Sequence, residues 1–203
     1  MNRQEIKFIN EKINKINLIS RLKINEIYHP RIINSIYFDT SDLRFFNLSE
    51  EGITPRYKVR IRFYNNQKKI NFEMKITENY FRKKIVYKKS IFKENFFNEF
   101  LNNNKINFKL FPKLLVTYNR TYFQSKYGRI TFDTEIKYHQ VNQKMQKVGK
   151  YFSDPTKVIE VKYNTKKYDK NEIINYIGLS ETRNSKYCNG INMIYQKKYN
   201  FVS

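Results

Sequence analysis

The sequence predicts an α+β fold: an eight-stranded antiparallel β-barrel with helices packed on the outside. About eight segments of the 203-residue chain alternate apolar and polar side chains with the period of two that half-buried strands show. Short polar turns join most of these segments, and strands joined in that way pair antiparallel. Helical patterns lie at the margins, and eight antiparallel strands can close into a barrel that leaves no edge exposed.

The predicted strands follow one another along the whole chain. His29 and Pro30 end an early helical pattern, and residues 40–55 are polar and rich in turn-forming residues. Residues 65–68 predict a hairpin loop between the third and fourth strands. The strands are EIKFI (5–9), NSIYFDT (34–40), YKVRIRFY (57–64), KINFEMKI (69–76), RKKIVYKKS (82–90), LLVTYNRTYF (114–123), RITFDTEIKY (129–138) and KVIEVKY (157–163).

Four segments are predicted to be helical, and they lie between or after the strands. Apolar residues recur at three-to-four spacing in residues 11–25 and 91–104, and further helices are expected at about 170–178 and 181–197. Neither a linker nor an internal repeat divides the chain. We therefore expect one domain over residues 1–203, with the helices covering the apolar side of the sheet.

Composition points to an anionic partner and to a cytoplasmic protein. The formal net charge of +22 favours nucleic acid, a membrane surface or a polyphosphorylated molecule. Arginine is scarce among the 40 basic residues, so Arg60 and Arg62 stand out, because a guanidinium can bind phosphate oxygens bidentately. The single cysteine, Cys188, excludes an internal disulfide. No stretch resembles a membrane span or a signal peptide.

Charged residues line one face of almost every predicted strand. In YKVRIRFY, Lys58, Arg60 and Arg62 alternate with apolar residues. Like charges in a row repel one another, so this row indicates that an anion lies against it. For each strand alone, a simple alternative is a sheet with one solvated face. The repetition over many strands favours a barrel with a polar interior, in which cations neutralise phosphates and carboxylates hold a divalent metal. Tyr37 and Tyr118 could either pack or hydrogen-bond a phosphate, and packing is the preferred interpretation for both.

The strand segments also resemble a known family. EIKF, SIYFDT, RYKVRIRFY, FEMK, YNRTYF, RITFDT, VIEVKY and SKYCNGI occur in this order over residues 5 to about 191. Together they resemble the catalytic domain of the vacuolar transporter chaperone (VTC) family, the polyphosphate polymerases among the triphosphate tunnel metalloenzymes. The resemblance implies an eight-stranded tunnel barrel that transfers the γ-phosphoryl group of ATP to a growing polyphosphate chain, assisted by Mn²⁺ or Mg²⁺.

The resemblance also implies roles for individual residues. The expected catalytic cations are Arg60, Arg62, Lys75 and Lys186, and the expected phosphate-binding residues are Lys7, Lys58, Arg82, Lys84, Arg120, Arg129 and Lys162. Glu160 of VIEVKY corresponds to the metal-binding glutamate. Glu5, Glu73 and Asp133 are further metal candidates, or partners that orient cations. Only Glu5 and Lys7 of the Glu-x-Glu-x-Lys signature are present, which favours one metal over two.

Three other functions remain open from the sequence. A triphosphatase of the same fold would hydrolyse inorganic triphosphate or a nucleoside triphosphate. A non-enzymatic module could bind polyphosphate, or nucleic acid, although the sequence carries no nucleic-acid-binding signature. The expected partners are ATP and inorganic polyphosphate, and no specific nucleic acid. The chain contains no predicted membrane segment, while a membrane-bound partner and the oligomeric state stay open.

Overall fold

A computed structural model describes residues 3–65, 67, 69–79 and 81–196. These residues form an antiparallel sheet of nine strands and five α-helices. The strands are β1 (Arg3–Asn10), β2 (Asn25–Asp39), β3 (Arg56–Tyr64), β4 (Ile70–Glu78), β5 (Phe81–Lys89), β6 (Phe111–Ser125), β7 (Gly128–Val141), β8 (Lys147–Asp154) and β9 (Lys157–Asn164). Hydrogen bonds order them β1-β9-β7-β6-β2-β3-β4-β5, with β8 paired to β7.

The helices are shorter than the sequence pattern suggested. They are α1 (Lys15–Leu22), α2 (Arg44–Glu51), α3 (Glu94–Asn102), α4 (Lys170–Ile177) and α5 (Lys186–Ile191), and α5 continues into a π-helical turn (Asn192–Gln196). Capping explains one of the shorter lengths. The Asn14 side chain accepts the N–H of Asn17, and Lys23 ends α1 in the left-handed conformation. In the described part of the chain, no helix is long and apolar enough to span a membrane.

The chain divides into two compact units. Unit 1 comprises Met1–Ile32, Tyr118–Ile136 and Ser153–Ser185, and unit 2 comprises Ile33–Thr117, Lys137–Phe152 and Lys186–Ser203. Each unit has its own hydrophobic core. In unit 1, residues of β1, β7 and β9 pack with α1 and α4. In unit 2, residues of β2, β3 and β4 pack with α3. The predicted helices at 11–25, 91–104 and 170–178 therefore cover the apolar sides of strands, as expected.

Helix α2 lies within residues 40–55, which the sequence analysis assigned to turns. Asp39 explains why a helix forms there. Its carboxylate accepts the N–H groups of Phe45 and Phe46, both at 2.9 Å, and the Thr40 hydroxyl accepts that of Arg44 at 2.9 Å. These bonds satisfy the first N–H groups of the helix. Phe45 and Phe46 are buried, so capping and burial together override a polar local sequence.

The eight predicted strands are present as β1 to β7 and β9, which form the main order of the sheet; β8 is an additional strand paired to β7, and β2 is longer than predicted. Strand β8 is exposed over all but its last residue, so it lacks the alternating pattern that reveals a strand. Strand β2 begins at Asn25 and includes His29 and Pro30, because its first eight residues are exposed and a proline costs little there. The predicted hairpin loop at 65–68 lies partly outside the described residues.

The last predicted helix begins later than expected. Residues 181–185 are not helical, because Glu181 forms an isolated β-bridge with Phe8 and the Thr182 N–H donates to the Lys7 carbonyl at 2.9 Å. Helical structure starts only at Lys186. Residue 197, where the predicted helix ends, lies outside the described residues.

Gly128 allows β7 to approach β9 closely. Its φ is +136°, and a Cβ at this position would lie 2.3 Å from the backbone oxygen of Lys162. Neither the conformation nor the space suits an L side chain. Glycine at this point therefore keeps the two strands in register where β9 carries Glu160 and Lys162.

We predict that Gly128→Ala lowers the free energy of unfolding by about 3 kcal/mol, because β7 must move away from the β9 backbone. Gly149→Ala is the matched control: its φ is +68°, but nothing lies within 4 Å of the added Cβ. The control should lose only about 1 kcal/mol. Urea unfolding followed by circular dichroism measures both, and equal losses would show that the close approach at Gly128 is unimportant.

Candidate functional site

Strand alternation gives unit 2 a charged face behind its core. Val59 and Ile61 of β3 are buried in the core, and Arg60 and Arg62 project from the opposite face. The register of the strands places polar residues in rows across this face. The rows are Ser35, Arg62 and Asn71; Tyr37, Arg60 and Glu73; and Lys58, Lys75 and Lys84.

Glu73 is the centre of this face. One of its oxygens accepts Arg60 Nε at 2.8 Å and Arg60 Nη2 at 2.5 Å, and lies 3.7 Å from Arg62 Nη1. The other oxygen accepts Lys84 Nζ at 2.9 Å. The Glu73 side chain is only 3% exposed, and those of Arg60 and Arg62 are 12% and 10% exposed. We call Tyr37, Arg60, Arg62, Glu73 and Lys84 the Glu73 cluster.

Strand β2 holds the two arginines from the other side. The hydroxyl of Tyr37 accepts Arg60 Nη1 at 2.8 Å, and the hydroxyl of Ser35 accepts Arg62 Nε at 3.1 Å. The Tyr37 ring stacks on Tyr187 with ring centroids 5.0 Å apart, and the Tyr187 hydroxyl donates to Asp39. Tyr37 thus packs, as predicted, and also orients a site cation, a role that the sequence analysis missed.

The charges of the cluster change the pKa values of its members. Burial raises the pKa of Glu73, but Arg60, Arg62 and Lys84 outweigh burial and lower it to about 2. Burial likewise raises the pKa of Tyr37, and the charges of Arg60, Arg62 and Lys58 lower it to about 8. Burial lowers the pKa of Lys84, as do Arg60 and Arg62, against the opposing effect of Glu73. The lowered pKa values of Glu73 and Tyr37 reflect the cations around them, whereas that of Lys84 reflects burial first.

The other predicted cations of unit 2 differ in exposure. Lys58 is half-buried, and Lys75 and Arg82 are exposed, as is Lys84 of the cluster, whose side chain is 45% exposed. The pairing of β4 with β5 shows which basic residues of β5 lie on the charged face. Lys84 is opposite Lys75 and Arg82 is opposite Thr77, so Arg82 and Lys84 share that face. Lys186 is half-buried at the first position of α5.

Unit 1 carries a second charged face, formed by three strands. Across β1, β9 and β7, Lys162 is opposite both Glu5 and Arg129, and Glu160 is opposite both Lys7 and Thr131. The apolar neighbours of these residues, such as Ile159 and Val161, lie in the core of unit 1. We call Glu5, Lys7, Arg129, Thr131, Glu160 and Lys162 the Glu160 cluster.

Ion pairs connect the two carboxylates of this cluster. Lys162 Nζ lies 2.7 Å from Glu160 and 3.5 Å from Glu5. Lys7 Nζ lies 3.3 Å from Glu5 and donates to the Asn184 carbonyl at 3.0 Å. Burial raises the pKa of Glu160, but Lys162, Arg120 and Lys7 outweigh it and hold that pKa well below the usual range. Glu160 is therefore ionised at neutral pH, and it already pairs with the ammonium of Lys162.

Arg120 and Asp133 form a bidentate ion pair. Arg120 Nε and Nη2 donate to the two Asp133 oxygens at 2.6 and 2.7 Å. Tyr118 lies against this pair, with its ring centroid 5.3 Å from the guanidinium carbon. Burial lowers the pKa of Arg120, but Asp133 outweighs burial and raises it well above the ordinary value. Arg120 is thus held in place by Asp133, and its charge acts on Glu160 at longer range.

The four predicted metal ligands do not form one centre. Glu73 binds Arg60 and Lys84, and Asp133 binds Arg120. Glu5 and Glu160 share the ammonium of Lys162. Over the described ranges, no three His, Cys, Asp or Glu side chains come together in a way that could hold a metal ion.

We predict that Glu73→Gln lowers the free energy of unfolding by about 3 kcal/mol near neutral pH, because the buried cations lose their counter-charge. The pKa of Glu73 is lowered on folding, from 4.5 to about 2, so its stabilising effect is present above the unfolded pKa and is lost as pH falls toward about 2. Urea unfolding from about pH 7 down to about pH 3 should show the difference between the proteins shrinking. A constant difference would contradict the assignment.

Comparisons with known proteins identify the family. The family model described as the VTC domain matches residues 1–107 and 84–195. No functionally curated protein matches the sequence. The residues quoted above for the resemblance therefore lie within a match that covers most of the chain.

Several solved structures share the fold. A candidate adenylate cyclase from Bacillus halodurans has a TM-score of 0.59 and 16% identity, covering 96% of this chain and 100% of its own. A candidate adenylyl cyclase from Hippeastrum, described as having a dominant triphosphatase activity, has a TM-score of 0.55 and 12% identity, with coverages of 95% and 96%. A Pyrococcus horikoshii protein, PH1819, has a TM-score of 0.54 and 15% identity, with coverages of 94% and 99%.

These similarities confirm the predicted fold class, an antiparallel sheet of the triphosphate tunnel type with accompanying helices. At such low identity the solved structures support the fold alone, whereas the family model spans both units. The chain belongs to the VTC domain family.

Proposed function

We propose that this protein is a metal-dependent polyphosphate polymerase that transfers the γ-phosphoryl group of ATP to a growing polyphosphate chain. Membership of the VTC domain family and the tunnel fold support an enzyme that acts on triphosphate-containing substrates. In this proposal Arg60, Arg62 and Lys84 bind phosphate oxygens. Lys58, Lys75 and Arg82 extend the same charged face, and Lys186, Lys7, Arg129 and Lys162 are further phosphate-binding candidates.

The observation that carries the proposal is the charge balance of the Glu73 cluster. Three cationic side chains surround one carboxylate, and both arginines are largely buried. Two guanidinium groups held in fixed directions beside an ammonium suit phosphate oxygens, which arginine can bind bidentately. Phosphoryl transfer suits this arrangement, because its catalysis depends mainly on positioning and on stabilising charge spread over phosphate oxygens.

The residues of the Glu160 cluster fit a divalent cation. Glu160 and Glu5 are two carboxylates that already share one cation, the ammonium of Lys162. Mg²⁺ and similar ions in phosphoryl-transfer sites usually take one or two carboxylates and complete their coordination with phosphate oxygens and water. Glu160 and Glu5 would hold such an ion, which when bound neutralises charge on phosphate oxygens. Glu73 and Asp133 instead orient Arg60 and Arg120.

A triphosphatase is the second candidate function. The Hippeastrum protein, which shares the fold, is described as having a dominant triphosphatase activity. Polymerase and triphosphatase need the same phosphate and metal contacts, and they differ only in whether a phosphate chain end or water attacks the γ-phosphorus. The product distinguishes them.

We predict that the pure protein converts ATP into long polyphosphate when Mn²⁺ or Mg²⁺ is present. The products are separated on a polyacrylamide gel and the released phosphate is measured in parallel. Free phosphate without polymer would show a triphosphatase instead. Tight polyphosphate or DNA binding without turnover would show a non-enzymatic module.

The same assay tests the Glu73 cluster, with two neighbouring lysines as a matched pair. Lys84 lies on the charged face, and Lys83, opposite Ile76, lies on the other face. Lys84→Ala should lower kcat by about tenfold, and Arg62→Ala by roughly 10²–10³, because preorganised charge on the phosphates is lost. Lys83→Ala removes the same charge and should leave kcat unchanged. Equal effects of Lys83→Ala and Lys84→Ala would contradict a specific site on this face.

A further inference from the structure

Thr131 is a buried polar residue with no evident structural use for its hydroxyl. It lies on β7, is 1% exposed, and among the described residues its Oγ1 has no hydrogen-bond partner. Most buried hydroxyl groups in folded proteins do have a partner. A buried hydroxyl without one costs desolvation free energy, and valine would fill the same space without that cost. The hydroxyl therefore points to a ligand that it binds.

The strand register places this hydroxyl beside Glu160. Thr131 is the direct cross-strand partner of Glu160, and directly paired residues on antiparallel strands have Cβ atoms about 4.5–5.5 Å apart on the same face. Glu160 is itself buried, and Lys162 and Lys7 surround it. The close approach at Gly128 fixes this register three residues before Thr131. A small ion bound to Glu160 is thus within reach of the Thr131 side chain.

The chemistry of the pair suits a divalent cation. Mg²⁺ and Mn²⁺ prefer oxygen ligands, and threonine or serine hydroxyls bind Mg²⁺ in nucleotide-binding loops. Only two carboxylates, Glu5 and Glu160, come together in this cluster, so a third protein ligand has to be another kind of group. Thr131 supplies a hydroxyl at the right position. Thr131 also lies within the RITFDT segment of the family resemblance.

We propose that Thr131 is a metal ligand, directly or through one water molecule, of the divalent cation held by Glu160. This inference rests on the proposed function, because that proposal places the cation at Glu160. Thr131 would then help to select a hydrated oxygen-preferring ion, together with the carboxylates and the phosphates of the nucleotide.

Mn²⁺ binding, measured by electron paramagnetic resonance with a non-hydrolysable ATP analogue, tests this inference without relying on turnover. Thr131→Val should weaken Mn²⁺ binding by about tenfold or more, and Thr131→Ser, which keeps the hydroxyl, should stay within about threefold of the wild type. Thr121→Val is the matched control, since Thr121 is a nearly buried threonine of β6 in the same unit, and should bind Mn²⁺ normally. The melting temperature of Thr131→Val should be equal to or above that of the wild type.

The variant Glu160→Gln distinguishes the role of Thr131 from the presence of a metal site at Glu160. Loss of Mn²⁺ binding in Glu160→Gln, with wild-type binding in Thr131→Val, would overturn the role of Thr131 and leave the metal at Glu160. Equal weakening in Thr131→Val and Thr131→Ser would also overturn it, because the hydroxyl would then be irrelevant. Wild-type binding in Glu160→Gln, or no binding by the wild type, would overturn the metal site and the inference together.

Discussion

Glu73 is the counter-charge that allows several cations to lie close together on one face of unit 2. Like charges on neighbouring strands repel, and burial removes the water that would screen them. One carboxylate that accepts Arg60 and Lys84 and lies near Arg62 reduces this repulsion without cancelling the positive charge. The hydroxyls of Tyr37 and Ser35 then fix the directions of the two guanidinium groups. Contacts within the protein thus hold the cations of this face in fixed directions.

The same design occurs in unit 1 with a different balance of charges. There the carboxylates Glu5 and Glu160 lie among the three cations Lys7, Arg129 and Lys162 on paired strands, so the ratio of cations to carboxylates is three to two instead of three to one. A cluster with two carboxylates offers a divalent cation more oxygen ligands than a cluster with one. This contrast is why we assign phosphate binding chiefly to the Glu73 cluster and the metal to the Glu160 cluster.

In both units the charged face depends on the core behind it. Strands alternate, so burying Val59 and Ile61 in one core sets the direction of Arg60 and Arg62, and burying Ile159 and Val161 in the other sets that of Glu160. A slip of one residue in either register would exchange the charged and apolar faces. The cores therefore specify the sites, and the residues that fix register, such as Gly128, contribute to function from outside the clusters.

Much of this could be predicted from the sequence, because alternation is a local signal. The strands that carry Arg60, Glu73 and Glu160 were found from it, and so were the faces on which these residues lie. Strand β8 and the first half of β2 were missed because both faces of these segments are exposed, which removes the apolar signal. Helix α2 was missed because its cap, Asp39, lies five residues before the helix starts. Which cation each carboxylate binds depends on cross-strand register, so the contacts of Tyr37 and Ser35 with the two arginines emerged only from the structure.

The most direct test of the central claim is a crystal structure of the protein with tripolyphosphate. Our account predicts phosphate oxygens within hydrogen-bond distance of the Arg60 and Arg62 guanidinium groups, while Glu73 keeps its contacts with Arg60 and Lys84. Phosphate bound only to exposed lysines away from β3 and β4, with both arginines contacting nothing but protein, would contradict it.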